Sequence, residues 1–148
     1  QPLMVRPSGD GYELVIGERR WRAAQMAGYE TVPALIRDVT DREALEMALV
    51  ENMQRQNLNP MEEANAYQRL AQDFSLTHDQ IAAKLGKDRS YVTNTLRLLK
   101  LPKPIREDLV AGRLTVGHAK AILSAREDDW LRLRDLILKQ DLSVRHTE

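Results

Sequence analysis

The stretch Gly17-Glu18-Arg19-Arg20-Trp21-Arg22-Ala23-Ala24 follows an alternating apolar run, Tyr12-Glu13-Leu14-Val15-Ile16, and opens an Ala-rich segment that ends near Gly28. The alternation reads as a strand and the Ala-rich segment as a helix. A strand, a glycine, and a helix start bearing Arg19, Arg20 and Arg22 together describe an anion site. Exposed N–H groups and the helix dipole attract negative charge at such a start. Gly17 lets the backbone approach the anion, and arginine holds phosphate oxygens in a fork. A surface helix with solvated arginines fits the same eight residues. The flanking sequence decides between the two.

Ser8-Gly9-Asp10-Gly11 is a turn cluster, so residues 3–6 and 12–16 read as a hairpin. Val32-Pro33-Ala34-Leu35-Ile36-Arg37 reads as a third short strand, with Pro33 at its start or on an edge. Strand, strand, helix and strand make a small mixed sheet with a helix on one face. Asp41 is expected to cap the next helix, which runs to about Arg55 with Leu45, Ala48, Leu49 and Met53 on its apolar face. Trp21 and Trp130 are read as core aromatics.

Beyond Gln56 the pattern becomes wholly helical. Asn59 as N-cap, Pro60 at the first helical position and Glu62 at the third form a strong start. Thr77-His78-Asp79-Gln80 is a capping box. Gly86 separates the short helix it opens from a second, starting at Asp88 or Arg89. Ile81, Ala82, Leu85, Val92 and Leu96 have the spacing of a helix-turn-helix core. The outward residues Arg89, Ser90, Tyr91, Asn94, Thr95 and Arg97 are donors to bases or phosphates. A plain two-helix hairpin is the alternative. Helices over 104–111 and 116–123 follow, the second capped by Thr115. Ser124-Ala125-Arg126-Glu127 is expected to cap an amphipathic helix with Trp130, Leu133, Leu136 and Ile137 inward. Ser143-Val144-Arg145-His146 reads as a further helix start.

The 148 residues suffice for one domain or two small ones, and 43% apolar with 30% charged residues fits a soluble globular chain. No apolar run approaches a membrane span, and no signal peptide is visible. There is no Cys, which excludes disulfides, a thiol nucleophile and Cys-based zinc. The three His are scattered, which argues against zinc. Residues 1–76 carry eight basic and twelve acidic residues, net −4; residues 77–125 carry nine and four, net +5; residues 126–148 carry five and six, net −1. The basic middle is where a polyanion is expected.

Several motifs in order carry a resemblance: Gly17-Glu18-Arg19-Arg20-Trp21-Arg22-Ala23, then Glu51-Asn52-Met53-Gln54-Arg55, then Leu58-Asn59-Pro60-Met61-Glu62-Glu63-Ala64, then the helix-turn-helix, then Gly112-Arg113-Leu114-Thr115-Val116-Gly117-His118-Ala119-Lys120. Over nearly the whole chain this resembles the ParB chromosome-partition family, and shares much with the related nucleoid-occlusion protein. The resemblance implies an α+β fold: a small mixed sheet with helices, ParB/sulfiredoxin-like, over residues 1–56, then an all-α helix-turn-helix domain over 57–148. It implies an upstream segment and a carboxy-terminal dimerisation domain outside this chain. The polar run Gln54-Arg55-Gln56-Asn57 before the Asn59-Pro60 helix start reads as a hinge at Gln56–Leu58, where a clamp of this kind would reorient its two units. It implies CTP and Mg²⁺ as cofactors, slow CTP hydrolysis, and a clamp that slides along DNA. Its implied partners are the palindromic centromere site parS, a homodimer partner and a ParA-type ATPase, in a cytoplasmic, nucleoid-associated setting without membrane contact.

Carried over residue by residue, Gly17, Glu18, Arg19, Arg20 and Arg22 fall on the phosphate motif. Glu51, Asn52 and Arg55 fall on the second triphosphate motif, with Glu51 and Asn52 as the metal and catalytic residues. Glu62 lies in a region near the nucleotide. Thr77, Gln80, Lys87, Arg89, Ser90, Tyr91, Asn94, Arg97, His118 and Lys120 form the DNA-binding set. Asp88 stands where the family often has Ser, and Lys120 where Arg is common. Two other classes stay open: a plain helix-turn-helix regulator, and an enzyme on the sulfiredoxin-like fold. The absent Cys counts against a sulfinic-acid reductase.

Overall fold

The computed structural model describes residues 2–54 and 58–147. The chain divides into two compact units, Gln1–Arg55 and Gln56–Glu148. Arg55, Gln56 and Asn57, which include most of the expected hinge and one expected phosphate ligand, lie outside the described residues.

The first unit is α+β. Strands β1 (Leu3–Ser8) and β2 (Gly11–Ile16) form the hairpin, and β3 (Ala34–Ile36) pairs with β1 in parallel, giving the order β2-β1-β3. Helices α1 (Glu18–Met26) and α2 (Asp41–Met53) complete it. Arg6 ties the unit together: its guanidinium meets Glu13 of β2 at 2.6 Å and Asp41 of α2 at 2.6 Å.

Three local expectations are corrected here. Thr40 rather than Asp41 caps α2, in a capping box with Glu43, because a hydroxyl one residue earlier can reach the third amide. Trp21 is 42% exposed and Leu45 65% exposed, and neither α1 nor α2 has a buried residue. The residues present in this unit do not cover these two side chains.

The second unit is all-helical: α3 (Pro60–Gln72), α4 (His78–Leu85), α5 (Arg89–Arg97), α6 (Lys103–Val110), α7 (Val116–Ser124), α8 (Trp130–Gln140) and α9 (Val144–Thr147). Ala64, Tyr67, Leu70, Ile81, Ala82 and Val92 are buried where α3, α4 and α5 meet. A larger core of Met61, Leu98, Leu101, Ile105, Leu109, Ile122 and Trp130, among others, extends through α6–α8. Trp130 is buried as expected, its indole N–H donating to the Ala125 carbonyl at 3.2 Å. Leu85 and Leu96 of the expected helix-turn-helix core are only half-buried.

Inside this core lies one full charge. Asp108 is 0% exposed, and its carboxylate accepts from Arg113 Nε at 2.7 Å and Arg134 Nε at 2.5 Å. Ser124 ends α7 instead of capping the next helix: its hydroxyl donates back to the Lys120 carbonyl at 3.0 Å, a bond serine makes readily inside a helix. A short turn, Glu127–Asp129, leads into α8 instead.

Candidate nucleotide and DNA-binding sites

In the first unit the corner between β2 and α1 is built on Gly17. It is buried, at φ +108°, a conformation that an L side chain rarely adopts. A Cβ there would lie 2.7 Å from Leu3 Cδ2, so the glycine lets α1 start directly against β1. Gly17 has no side chain to cap α1, and the positive end of that helix is turned over to its surroundings. Arg20 folds back over the glycine, with Nη1 donating to the Pro2 carbonyl at 2.7 Å. Arg22 pairs with Glu18 at 2.5 Å across one helical turn, so the Glu18 carboxylate is neutralised sideways. Arg19 is exposed and has no bonded partner among the described residues.

Glu51 and Asn52 sit in the last turn of α2, which packs against β2. Glu51 is half-buried and Asn52 exposed. The end of α2 is the negative end of a helix dipole, and that favours a cation. Among the described residues no group of three or more His, Cys, Asp or Glu is gathered to hold a metal. One carboxylate and one amide oxygen still suit Mg²⁺, which takes few protein ligands and completes its shell with water and substrate phosphates. The first unit thus offers a helix start for phosphate and a helix end for a cation. Glu62 belongs to the second unit, where its carboxylate accepts from the Asn59 amide at 2.9 Å and closes the α3 capping box.

The second unit holds the helix-turn-helix. Gly86 takes φ +64°, and the following Lys87 amide bonds the Ala82 carbonyl at 2.9 Å, which turns the chain from α4 into α5. The expected DNA residues divide into two groups. Lys87, Arg89, Ser90 and Lys120 are exposed, and Asn94 is half-buried. Arg89 makes only a 3.6 Å contact with Asp79, both side chains well exposed, which is a weak restraint.

The others are already engaged. Thr77 and Gln80 close the α4 capping box, at 2.8 and 3.2 Å. Arg97 donates to the Leu123 carbonyl at 3.2 Å and so joins α5 to the end of α7. His118 is the third residue of α7, and its Nδ1 accepts from the Thr115 amide at 3.3 Å. That bond places the ring proton on Nε2, which is buried without a partner among the described residues. Asp88 holds the N-cap position of α5 without a side-chain cap bond.

Tyr91 hydroxyl donates to Glu63 Oε2 at 3.0 Å, and the buried Tyr67 donates to the other oxygen, Oε1, at 2.6 Å. Burial and then the Glu63 carboxylate raise the pKa of both phenols, so both remain protonated donors. The Lys87 ammonium lies 5.3 Å from the centre of the Tyr91 ring. Sequence reading missed Glu63 and Tyr67 as partners of the recognition helix. The signal available was their i, i+4 spacing, which puts both on one face of α3.

The described geometry can be set beside known proteins. The ParB N-terminal domain matches residues 1–53 and the ParB HTH domain residues 56–148. The chain belongs to the ParB family. It is 55% identical, along its whole length, to the chromosome-partitioning protein Spo0J of Thermus thermophilus, of which it covers 55%. It is 50% identical to the chromosome-partitioning protein ParB of Myxococcus xanthus, again along its whole length, covering 50% of that protein. The chain therefore spans about half the length of the curated relatives it matches. Among solved structures it superposes, with TM-score 0.93 and 49% identity, on a C-terminally truncated ParB from Caulobacter crescentus complexed to the centromeric parS site, covering all of this chain and 80% of that one. Other ParB proteins thus share both the sheet-bearing unit and the helix-turn-helix unit found here. Among the described residues no helix is long and apolar enough to cross a membrane.

Proposed function

We propose that this ParB chain acts in chromosome segregation by binding a parS-type palindromic duplex through α4 and α5, and that CTP in the first unit switches it into a clamp that spreads along DNA. The DNA part rests on one observation: the TM-score of 0.93 and 49% identity to a ParB solved on parS. The exposed basic set Lys87, Arg89 and Lys120, in the segment of net +5, supplies the phosphate attraction. Arg89, Ser90 and Asn94 on α5 are the candidates for base edges in the major groove.

For the nucleotide, the uncapped start of α1 and Arg19, Arg20 and Arg22 take the triphosphate. Arg20 and Arg22 exchange their present partners, the Pro2 carbonyl and Glu18, for phosphate oxygens. Glu51 and Asn52 hold the cation side. Bound Mg²⁺ supplies charge neutralisation on the phosphates. The cytosine preference and the slow hydrolysis to CDP and phosphate follow from the resemblance alone, as do the homodimer partner, the ParA-type ATPase and the nucleoid location. The test uses the full-length protein. CTP, ATP and GTP are titrated by calorimetry with parS and with scrambled duplex. Selective CTP binding that parS alters supports the clamp. Selective parS binding with no nucleotide binding leaves a plain helix-turn-helix regulator.

A further inference from the structure

A carboxylate in contact with a recognition helix is an unexpected choice, because DNA phosphate repels it. Glu63 is such a carboxylate. It stands in the first turn of α3, 28 residues before Tyr91, and its two oxygens are taken by two phenols, at 2.6 and 3.0 Å. Tyr67 is 1% exposed and fixes the carboxylate from the core side. Tyr91 is 41% exposed and carries the contact outward to α5. The Lys87 ammonium lies over its ring, 5.3 Å from the centre, a distance at which a cation is held by the ring quadrupole. Glu63, Tyr91, Thr95 and Lys120 also line a cleft of about 240 Å³. Core, carboxylate, phenol and ammonium thus form one chain of contacts that ends on an exposed cation at the turn of the helix-turn-helix.

We propose that Glu63 is a positioning residue of the DNA interface: acting through the Tyr91 hydroxyl and ring, it holds the Lys87 ammonium where a backbone phosphate of the duplex arrives. The proposal rests on the DNA-binding reading above. Lysine is a flexible point charge that loses rotamer freedom on docking, and a ring that pre-places it lowers that loss. Glu63 stays tolerable near DNA because both its oxygens already accept hydrogen bonds and a cation stands beyond the ring.

A purely structural role, a clamp of α3 to α5, would make the same bonds but would not act through Lys87. The experiment separates the two with full-length protein on parS and on a scrambled duplex, by fluorescence anisotropy across a salt series, with thermal melts as folding controls. Lys87→Ala is expected to weaken both duplexes alike and to lower the salt slope by about 1, as removal of one phosphate-neutralising cation does. Tyr91→Phe, which keeps the ring and changes no charge, is expected to weaken binding to both duplexes by about threefold to tenfold. In a Lys87→Ala background that loss should vanish, because the group being positioned is gone.

Glu63→Leu supplies a sign test. Removing a negative charge near DNA should tighten binding on electrostatics alone, whereas loss of positioning weakens it. If Glu63→Leu does not fold, Tyr91→Phe in the two backgrounds still decides. Equal losses from Tyr91→Phe with and without Lys87, no loss at all, or tighter binding in folded Glu63→Leu overturns the proposal. Failure of the unmutated protein to prefer parS over the scrambled duplex is a different outcome: it sinks the DNA reading itself.

Discussion

Replacing Gly17 tests whether the β2–α1 corner is the phosphate site. A side chain at φ +108° lies well beyond the left-handed minimum near 57°, and such backbone strain costs about 1–3 kcal/mol. The new Cβ would also sit 2.7 Å from Leu3 Cδ2, where carbon atoms normally keep about 3.5–4.0 Å, so Leu3 must move by roughly 1 Å. Leu3 is 5% exposed, and among the described residues it is the only buried side chain of the first unit, so the shift falls on that one side chain. Overpacking of this kind adds about 1–3 kcal/mol, for a total of about 2–6 kcal/mol. Arg20 Nη2, 3.2 Å from the Cβ, is the end of a flexible chain and must also shift.

Both contributions come from the Cβ, so Gly17→Ala and Gly17→Ser should lose CTP binding almost equally. The assay is calorimetry of CTP with Mg²⁺ on the full-length variants. Retained parS binding serves as the control that the second unit is folded. Gly17→Ala binding CTP within about twofold of the unmutated protein would refute the reasoning, since twofold corresponds to only about 0.4 kcal/mol.

Three further outcomes are expected. Asp108→Ala should destabilise the second unit by about 2–4 kcal/mol in a denaturant melt, chiefly through Arg134, because Arg113 is more than half exposed and contributes little. Burial works to raise the Asp108 pKa, but the bonds from Arg134 and Arg113 together lower it. Its contribution is therefore full above about pH 4 and fades as pH falls through the depressed folded-state value, and Asp108→Asn should flatten that acid limb. Arg89→Ala with Asn94→Ala should cost about 1–3 kcal/mol for each base no longer read and relax sequence preference; tight, selective parS binding in the double variant would remove α5 from the recognition role. Arg97→Ala should lower thermal stability through loss of its bond to the Leu123 carbonyl while leaving the salt slope of DNA binding unchanged, whereas Lys120→Ala should lower the slope by about 1.

What was legible in the sequence was local. The boxes at Asn59–Glu62 and Thr77–Gln80 close over three residues, so composition and spacing suffice to see them. The alternation in β2 and the glycine at the helix-turn-helix corner are of the same kind. The contacts that assign work to side chains span longer distances. Tyr91 meets Glu63 across 28 residues, Arg134 meets Asp108 across 26, and Arg20 finds a carbonyl 18 residues back. No periodicity encodes those meetings: Tyr91 and Arg97 are exposed, as a helix pattern has them, yet each is bonded to another helix. Trp21 erred the other way: its spacing is that of a core residue, but the residues present leave it 42% exposed. Ser124 was ambiguous in principle, because a serine at a helix end can cap forward or bond back.

The slender interior of the first unit has a thermodynamic consequence. Among its described residues only Leu3 and Gly17 are buried, so apolar burial within these residues contributes little to that unit, while the second unit holds the rest of the buried side chains described. A ligand that binds only the ordered form adds RT ln(1 + [L]/Kd), about 2.7 kcal/mol at a hundredfold excess over Kd, comparable with the burial of a large apolar side chain. On the proposed function, nucleotide would help to order this unit, and its ordered fraction would report nucleotide concentration. Hydrogen exchange should display it directly: amides of β1, β2 and α1 protected in proportion to added CTP.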